Sequence, residues 1–228
     1  MKKAVISLSG GMDSTGLLVH LLAQGYEVYA LSFYYGQKHR VELTRASKNS
    51  AYLKTKGYKV HQMVSDISGA MSVFDSALTS DDIDVPEGHY EQDNMKATVV
   101  PNRNAIFASV IYGYALSLAT KFNEEVIIGL GVHSGDHAIY PDCRPEFYEA
   151  IEKAFKIGNW DSDKVNFYLP YLDGDKYTIL QDAEQAIDKL DGVEFDTIFA
   201  NTNTSYNPDE LGRSSGTSGA DVERILAF

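Results

Sequence analysis

Residues 4–18 read Ala-Val-Ile-Ser-Leu-Ser-Gly-Gly-Met-Asp-Ser-Thr-Gly-Leu-Leu, and this stretch decides the fold. Its first five residues are apolar apart from one serine, and they predict a short buried strand. Leucines at helical spacing follow and predict a helix. Between strand and helix, Gly10 and Gly11 allow the backbone to turn sharply and to approach a ligand. Because the first amides of a helix lack partners and lie at the positive end of its dipole, this arrangement predicts an anion site.

The turn itself, Ser9-Gly10-Gly11-Met12-Asp13-Ser14, differs from two familiar phosphate-binding motifs. It lacks the Gly-Lys-Ser/Thr ending of a Walker A loop and the G-x-G-x-x-G pattern of dinucleotide binding. It resembles the PP-loop of the ATP pyrophosphatases, which cleave ATP between the α and β phosphates and pass AMP to a substrate oxygen. The alternative is an ordinary strand-to-helix turn, which the serines and the aspartate at these spacings disfavour. The ATP-binding residues implied by the resemblance are Leu8, Ser9, Gly10, Gly11, Asp13, Ser14 and Phe33.

Length and charge bound the class of protein. The 228 residues suit one large α/β domain or two small ones, and 44% hydrophobic residues are enough for a sizeable core. We interpret 1–228 as a single domain. The net charge of −12, with 20 scattered lysines and arginines, disfavours direct nucleic-acid binding, because such binding needs basic side chains to replace counterions.

The cysteine content and the N-terminal sequence indicate the cellular compartment of the protein. The one cysteine, Cys143, excludes an internal disulfide, so a reducing compartment is expected. No apolar run is expected to be long enough to span a membrane, and the N-terminal strand leaves no room for a signal peptide. We therefore expect a cytoplasmic protein without a membrane partner.

The first half of the chain alternates strands and helices. Strands are predicted at 4–8, 26–33 and 58–64, with a helix at 38–53 between the last two. This alternation predicts a doubly wound parallel α/β sheet with helices on both faces. Ligands of such sheets bind outside the carboxyl ends of the strands, where the turn at 9–14 lies. Residues 65–95 have no sustained period and predict a long functional loop.

The second half continues the same pattern. Helices are predicted at 105–119, 145–157 and 177–190, a strand at 125–129 and an edge segment at 167–172. Asn102 or Asn104 is expected to cap the first of these helices, and Pro170 argues against a central strand. The chain is expected to end in a short helical tail.

Five parts of the sequence occur in an order shared with one enzyme family. They are the turn at 9–14, Phe33-Tyr34-Tyr35-Gly36-Gln37-Lys38-His39-Arg40, Pro101-Asn102-Arg103-Asn104-Ala105-Ile106-Phe107, Tyr140-Pro141-Asp142-Cys143-Arg144-Pro145-Glu146-Phe147, and Lys176. Over nearly its whole length the chain resembles the QueC family of 7-cyano-7-deazaguanine synthases. The resemblance implies a ligase that uses ATP and Mg²⁺ to turn 7-carboxy-7-deazaguanine into a nitrile with ammonia. A carboxylate attacks the α-phosphate to give an acyl adenylate, ammonia makes the amide, and a second ATP activates the amide oxygen before AMP is lost.

Charged side chains in the matched segments suit this chemistry. Phosphate charge must be neutralised as pyrophosphate leaves, and the candidate catalytic residues are Arg103, Arg144 and Lys176. The alternative is that these three side chains are solvated charges on the protein surface without a catalytic role. Asp13 is a candidate for binding Mg²⁺ through water. The alternative is that it only interacts favourably with the helix dipole, as acidic residues at helix N-termini do without a metal.

The residues implied to bind the substrate are Tyr35, Gln37, Asn104, Asp142 and Glu146. Asp142 or Glu146 is expected to accept the paired N–H donors of a guanine-like ring, with a turn role as the alternative for Asp142. Tyr34, Tyr35 and Phe33 are candidates for stacking on a base or for the core.

Two histidines have metal-like spacing. His133 and His137 are at i and i+4, but no glutamate completes an H-E-x-x-H motif, and Gly135 argues against a helix. We expect loop residues near the site, not metal ligands.

The C-terminal tail departs from the family. The resemblance implies four cysteines that hold a structural Zn²⁺, but the matching positions here are Ser205, Ser215, Ser218 and Asp221. Serine hydroxyls do not replace thiolates on zinc, so we expect a remodelled tail at 201–228 without zinc. An apolar set is expected to dock this tail on the core; it consists of Val222, Ile225, Leu226 and Phe228.

The tail leaves the final nucleophile and product open. The leading hypothesis is a ligase that makes an amide or a nitrile from a 7-deazaguanine acid. One alternative joins the deazaguanine to a protein amine such as an N-terminus, as QueC-like proteins of antiphage defence systems would; another is a nucleotide-binding module without turnover. A tRNA-modifying PP-loop enzyme is disfavoured by the acidic charge. The expected partners are a small 7-deazapurine and ammonia or another amine, with a homodimer left open.

Overall fold

The computed structural model describes residues 1–37, 40–74, 76, 99–133, 140–205, 213, 214, 216 and 219–228. Several predicted features lie outside these ranges, namely Lys38, His39, His137, Ser215, Ser218 and most of the predicted loop at 65–95.

A parallel sheet forms the centre of the protein. Its strands are β1 (Lys3–Ser7), β2 (Glu27–Tyr34), β3 (Val60–Asp66), β4 (Val126–Gly129) and β5 (Val165–Tyr168). Their order is β3-β2-β1-β4-β5, and every pair is parallel. The predicted doubly wound sheet is confirmed. The edge segment predicted at 167–172 was placed too far along the chain, because Pro170 follows β5 instead of belonging to it.

Helices connect the strands and cover both faces. They are α1 (Met12–Ala23), α2 (Val41–Thr55), α3 (Ser68–Met71), α4 (Arg103–Phe122), α5 (Pro145–Gly158), α6 (Lys176–Ile187), α7 (Phe195–Ala200) and α8 (Gly219–Ala227). The sequence missed α3 and α7, which are short. Asn102 takes the N-cap position of α4, as predicted, in a left-handed conformation (φ 59°), but its side chain makes no capping hydrogen bond.

Alternation along β1 divides the core into two layers. Ala4 and Ile6 pack with α1, α2, α6 and α7 on one face, whereas Val5 packs with α4 and α5 on the other. Since successive side chains of a strand point to opposite faces, a strand buried on both sides reads as a continuous apolar run. This explains why residues 4–8 signal a central strand.

Helix α4 has the length and apolar composition of a membrane span, which the sequence reading did not anticipate. Among the described residues it is the one helix that passes this test, with a mean hydropathy of 1.4 and a third of its most apolar window buried. Ile111, Ala115 and Ala119 lie in the core layer against the sheet, as expected of the core helix of an α/β domain.

Helix α8 docks by a different face from the one expected. Ile225, Leu226 and Phe228 are 63%, 75% and 63% exposed, whereas Asp221 is 1% and Ala227 8% exposed. The predicted apolar docking is therefore wrong for Ile225 and Leu226, whereas the ring of Phe228 contacts Phe195 and Phe199 with centroids 6.4 and 6.2 Å apart. Hydrogen bonds of the polar face also hold this helix, as described below.

Candidate active site

The turn after β1 is held together by its own serines. The backbone N–H of Ser9 donates to Ser14 Oγ (3.2 Å), the two hydroxyls lie 3.0 Å apart, and the N–H of Gly11 donates to Ser9 Oγ (3.2 Å). Gly11 takes the N-cap position of α1, where no side chain caps the first amides. The hydrogen bonds thus shape the turn while leaving the helix N-terminus open to an anion.

Close packing explains Gly10. Its φ is +96°, and a Cβ there would lie 2.1 Å from the carbonyl oxygen of Glu42. The first turn of α2 therefore rests directly on the glycine turn. Only glycine satisfies both the backbone conformation and this contact.

One cavity of about 250 Å³ opens beside the turn, at the carboxyl ends of the strands. Most of the residues predicted for the site line it, namely Ser9, Gly11, Asp13, Ser14, Phe33, Tyr35, Gln37, Arg103, Asn104 and Lys176. Leu8 and Gly10 belong to the same turn but do not line the cavity. Asp142, Arg144 and Glu146 do not line it either, although Cys143 between them does. The binding and catalytic roles of all these residues remain predictions.

Lys176 stands at the centre of the charged part of the cavity. It is the first residue of α6 and only 6% exposed, and its Nζ lies 3.0 Å from Asp13 Oδ2, 2.9 Å from His133 Nε2 and 3.4 Å from Glu223 Oε2. Because an ammonium only donates, His133 Nε2 is the acceptor of this hydrogen bond. His133 thus lies in the site beside the lysine, and Glu223 brings α8 to the same place.

The second carboxylate oxygen of Asp13 bears on whether the cavity suits a bound Mg²⁺. Asp13 Oδ1 is buried and has no hydrogen-bond partner among the described residues. Magnesium prefers carboxylate oxygens and keeps several waters, so this oxygen suits a water-mediated or direct contact. Within the described ranges there is no cluster of three or more histidine, cysteine, aspartate or glutamate side chains that forms a metal site by itself.

Aromatic rings line the opposite wall. Phe33 and Phe107 stack with centroids 4.2 Å apart and planes 12° apart, and Tyr35 lies 5.6 Å from Phe107. Gln37 closes the turn below them, because its side chain accepts from the N–H of Tyr35 (2.8 Å) and donates to the carbonyl of Phe33 (3.1 Å). This wall offers an apolar surface for a planar ring.

Glu42 is a lining residue that the sequence reading missed. Burial raises the pKa of its carboxyl to about 7, and the charge of Arg103 opposes this rise only in part. Burial also raises the pKa of Tyr35, again against the effect of Arg103. The sequence hides Glu42 because an acid in the first turn of a helix is common. Other lining residues that were missed include Phe107, Asn203 and Thr204.

The tail reaches the cavity through hydrogen bonds. Ser205 Oγ donates to Asp221 Oδ2 (3.0 Å), and Ser214 Oγ donates to the other oxygen of Asp221. Arg224 donates to the hydroxyls of Thr202 (2.7 Å) and Thr204 (3.1 Å). Two of the four positions matched to zinc cysteines are therefore joined by a hydrogen bond.

Sequence comparison settles the family. Residues 3–228 match a family described as "Queuosine biosynthesis protein QueC". The chain belongs to the QueC family. This QueC-family chain is 44% identical to 7-cyano-7-deazaguanine synthase 2 of Colwellia psychrerythraea, over 100% of the chain and 94% of that protein. It is 43% identical to the 7-cyano-7-deazaguanine synthase of Pseudoalteromonas translucida, with the same coverage.

The resemblance to the QueC family that the motifs indicated is therefore confirmed.

Among solved structures, the QueC-family chain aligns with NMN synthetase from Francisella tularensis at a TM-score of 0.42 and 15% identity, over 98% of this chain and 76% of that one. A 4-thiouridine synthetase–RNA complex with bound ATP aligns at a TM-score of 0.49 and 15% identity, over 99% of this chain and 49% of that one.

Proposed function

We propose that this chain uses ATP to adenylate the carboxylate of 7-carboxy-7-deazaguanine and converts it to the amide and then to the nitrile. The observation that carries the proposal is a single cavity that joins an open helix N-terminus, the Asp13–Lys176 pair and an aromatic wall. Family membership supports the substrate class, since the relatives at 43–44% identity are named 7-cyano-7-deazaguanine synthases.

The first step is a displacement at the α-phosphorus of ATP. A substrate carboxylate oxygen attacks this phosphorus, the bond to the bridging oxygen breaks, and pyrophosphate leaves with the electron pair. The open amides at the start of α1 suit the phosphate oxygens. Lys176 and Arg103 suit the negative charge that develops on the leaving group. When bound, Mg²⁺ supplies further charge neutralisation, and we propose Asp13 as the residue that would hold it.

The acyl adenylate then reacts with an amine. Nitrogen of ammonia attacks the carbonyl carbon, AMP leaves and a proton is lost, which gives the amide. The amide oxygen then attacks the α-phosphorus of a second ATP, and pyrophosphate leaves with the electron pair of the broken bond. Loss of AMP together with both protons of the nitrogen gives the nitrile. A different amine, such as a protein N-terminus, remains the alternative acceptor, since the tail next to the cavity carries Asn203 and Thr204 into its lining.

The test is turnover with defined reactants. Purified protein is incubated with 7-carboxy-7-deazaguanine, ATP, Mg²⁺ and isotopically labelled ammonia, and products are followed by mass spectrometry and pyrophosphate release. We expect labelled amide or nitrile and pyrophosphate that depends on the acid. ATP binding without consumption of the acid, with any amine supplied, would favour a nucleotide-binding module instead.

A further inference from the structure

Glu42 occupies a place in the cavity that the proposed chemistry leaves without a role. It lies in the first turn of α2, and its backbone carbonyl packs against Gly10 of the ATP turn. Its side chain lines the cavity together with Tyr35 and Arg103. This close packing ties the position of Glu42 to that of the ATP turn.

Glu42 is half-buried at the cavity, and its carboxylate makes no hydrogen bond or ion pair of 4.0 Å or less to the described residues. Its surroundings nevertheless disfavour the charged form, since burial raises its pKa to about 7. A carboxyl group that is partly withdrawn from water and has no partner costs free energy. Such a group in a ligand cavity is explained when the ligand supplies the missing donors.

We propose that Glu42 is the specificity-determining residue that accepts the paired N–H donors on the pyrimidine edge of the 7-deazaguanine ring. The proposal rests on the proposed function and assigns to Glu42 the recognition that the sequence reading expected of Asp142 or Glu146. Neither of those two lines the cavity, whereas Glu42 does. The ring N1–H and the 2-amino group lie side by side and match the two oxygens of one carboxylate.

Nearby groups support this pose. The rings of Phe107 and Tyr35 line the same cavity and offer an apolar surface to the flat heterocycle. The phosphates of ATP repel a carboxylate, and the adenine edge places an acceptor beside its amino group. The ribose hydroxyls of ATP are the other pair of adjacent donors, so the ATP affinity of Glu42→Gln, measured below, distinguishes the two ligands.

The experiment compares Glu42→Gln with the unchanged protein on two acids: 7-carboxy-7-deazaguanine and the same acid without the 2-amino group. Glutamine still accepts from N1–H but turns its own N–H₂ toward the 2-amino group. We expect the variant to lose about 100-fold in kcat/KM for the first acid and only a few-fold for the second, because a site with a mismatched polar group rejects its ligand strongly. Affinity for ATP, measured by equilibrium dialysis, should stay within about two-fold, since no contact with ATP is assigned to Glu42.

Controls separate recognition from folding and from the reaction itself. Glu149→Gln changes an exposed glutamate of α5 and should alter neither value. Glu42→Asp keeps the charge and should retain the preference for the 2-amino acid at a lower kcat/KM. An equal fall for both acids in Glu42→Gln would show a structural role and overturn the proposal, as would a changed Mg²⁺ dependence with unchanged selectivity.

Calorimetric binding of the first acid distinguishes this inference from the proposed function. If the acid binds without turnover and Glu42→Gln loses the preference for the acid with the 2-amino group, the proposed function alone is overturned and the role of Glu42 is supported. Turnover with selectivity retained in Glu42→Gln would overturn the inference alone. Absence of both binding and turnover in the unchanged protein would overturn both.

Discussion

Lys176 Nζ lies 3.0 Å from Asp13 Oδ2, so the first residue of α6 is paired with the first turn of α1. The two residues are 163 positions apart in the chain. Helices α1 and α6 pack along each other in the same core layer, which brings both first turns to the same end of the sheet. The glycine turn and the lysine therefore form one site because of how the helices pack.

Replacing the lysine tests this pairing. Lys176→Met should remove the cation nearest to Asp13 and leave the carboxylate without its main partner. We expect pyrophosphate release to fall by about 100-fold or more, because positioned charge is a large part of catalysis, and the thermal midpoint to fall by several degrees. Lys189→Met, at an exposed position just beyond α6, is the control and should behave like the unchanged protein. Full activity in Lys176→Met would remove this residue from the catalytic set.

The serine pair in the glycine turn gives a second prediction. Ser14→Ala should leave the N–H of Ser9 without its hydroxyl acceptor and loosen the turn. Because a displacement of about 1 Å in a reacting group costs roughly 100-fold in rate, we expect a large loss of pyrophosphate release and a raised KM for ATP. Ser117→Ala changes an exposed serine of α4 and is the matched control. Circular dichroism should be the same for both variants, and unchanged turnover in Ser14→Ala would contradict the ATP assignment.

The central strands and the glycine turn could be predicted from the sequence because their signals are local. Residues 4–8 are apolar apart from Ser7, since β1 is buried on both faces. The edge strand β5 carries a weaker signal, because only Val165 of its four residues is buried. Its register therefore depends on pairing with β4, which local sequence does not report.

The parts of the site that were missed depend on tertiary packing. Glu42 reaches the cavity because α2 rests on Gly10, and Glu223 reaches Lys176 because α8 returns to α6. The docking face of α8 was misjudged because apolar residues were expected to be buried. A buried hydrogen bond of Asp221 and partly buried ones of Arg224 help to fix the helix, and Leu226 stays exposed.

The raised pKa of Glu42 has a consequence for stability. In the unfolded chain its carboxyl has an ordinary pKa near 4.5, whereas in the folded, ligand-free protein burial raises the pKa to about 7 against the charge of Arg103. The contribution of Glu42 to stability is therefore fully present below about pH 4.5 and is lost as the pH rises through about 7. The other titratable or charged side chains that line the cavity with Glu42 are Tyr35, Arg103, Asp13 and Lys176.

Glu42→Gln should remove this loss, because glutamine stays neutral. We expect the thermal midpoint of the ligand-free variant to exceed that of the unchanged protein by a few degrees at about pH 8 and to match it at about pH 4. Thermal unfolding followed across this pH range measures the difference. Glu149→Gln should give a difference that does not vary with pH, and a flat difference for Glu42→Gln would show that its carboxyl titrates normally.

The last prediction concerns the tail, where we expect no stoichiometric zinc in the purified protein. Structural zinc sites are built from four cysteine thiolates or histidines, and their bonds supply folding energy. Here Asp221 is 1% exposed, and Ser205 and Ser214 donate their hydroxyl protons to it. Ser205→Ala removes one of these donors from a buried carboxylate and should lower the free energy of unfolding by about 1–3 kcal/mol. The control Ser109→Ala, at an exposed serine of α4, should change it by less than about 0.5 kcal/mol. Adding a zinc chelator should not change the thermal midpoint of the unchanged protein, because no bound zinc stabilises its folded state. One zinc per chain that survives dialysis against chelator, or a midpoint that falls when chelator is added, would show that the tail binds metal through other side chains.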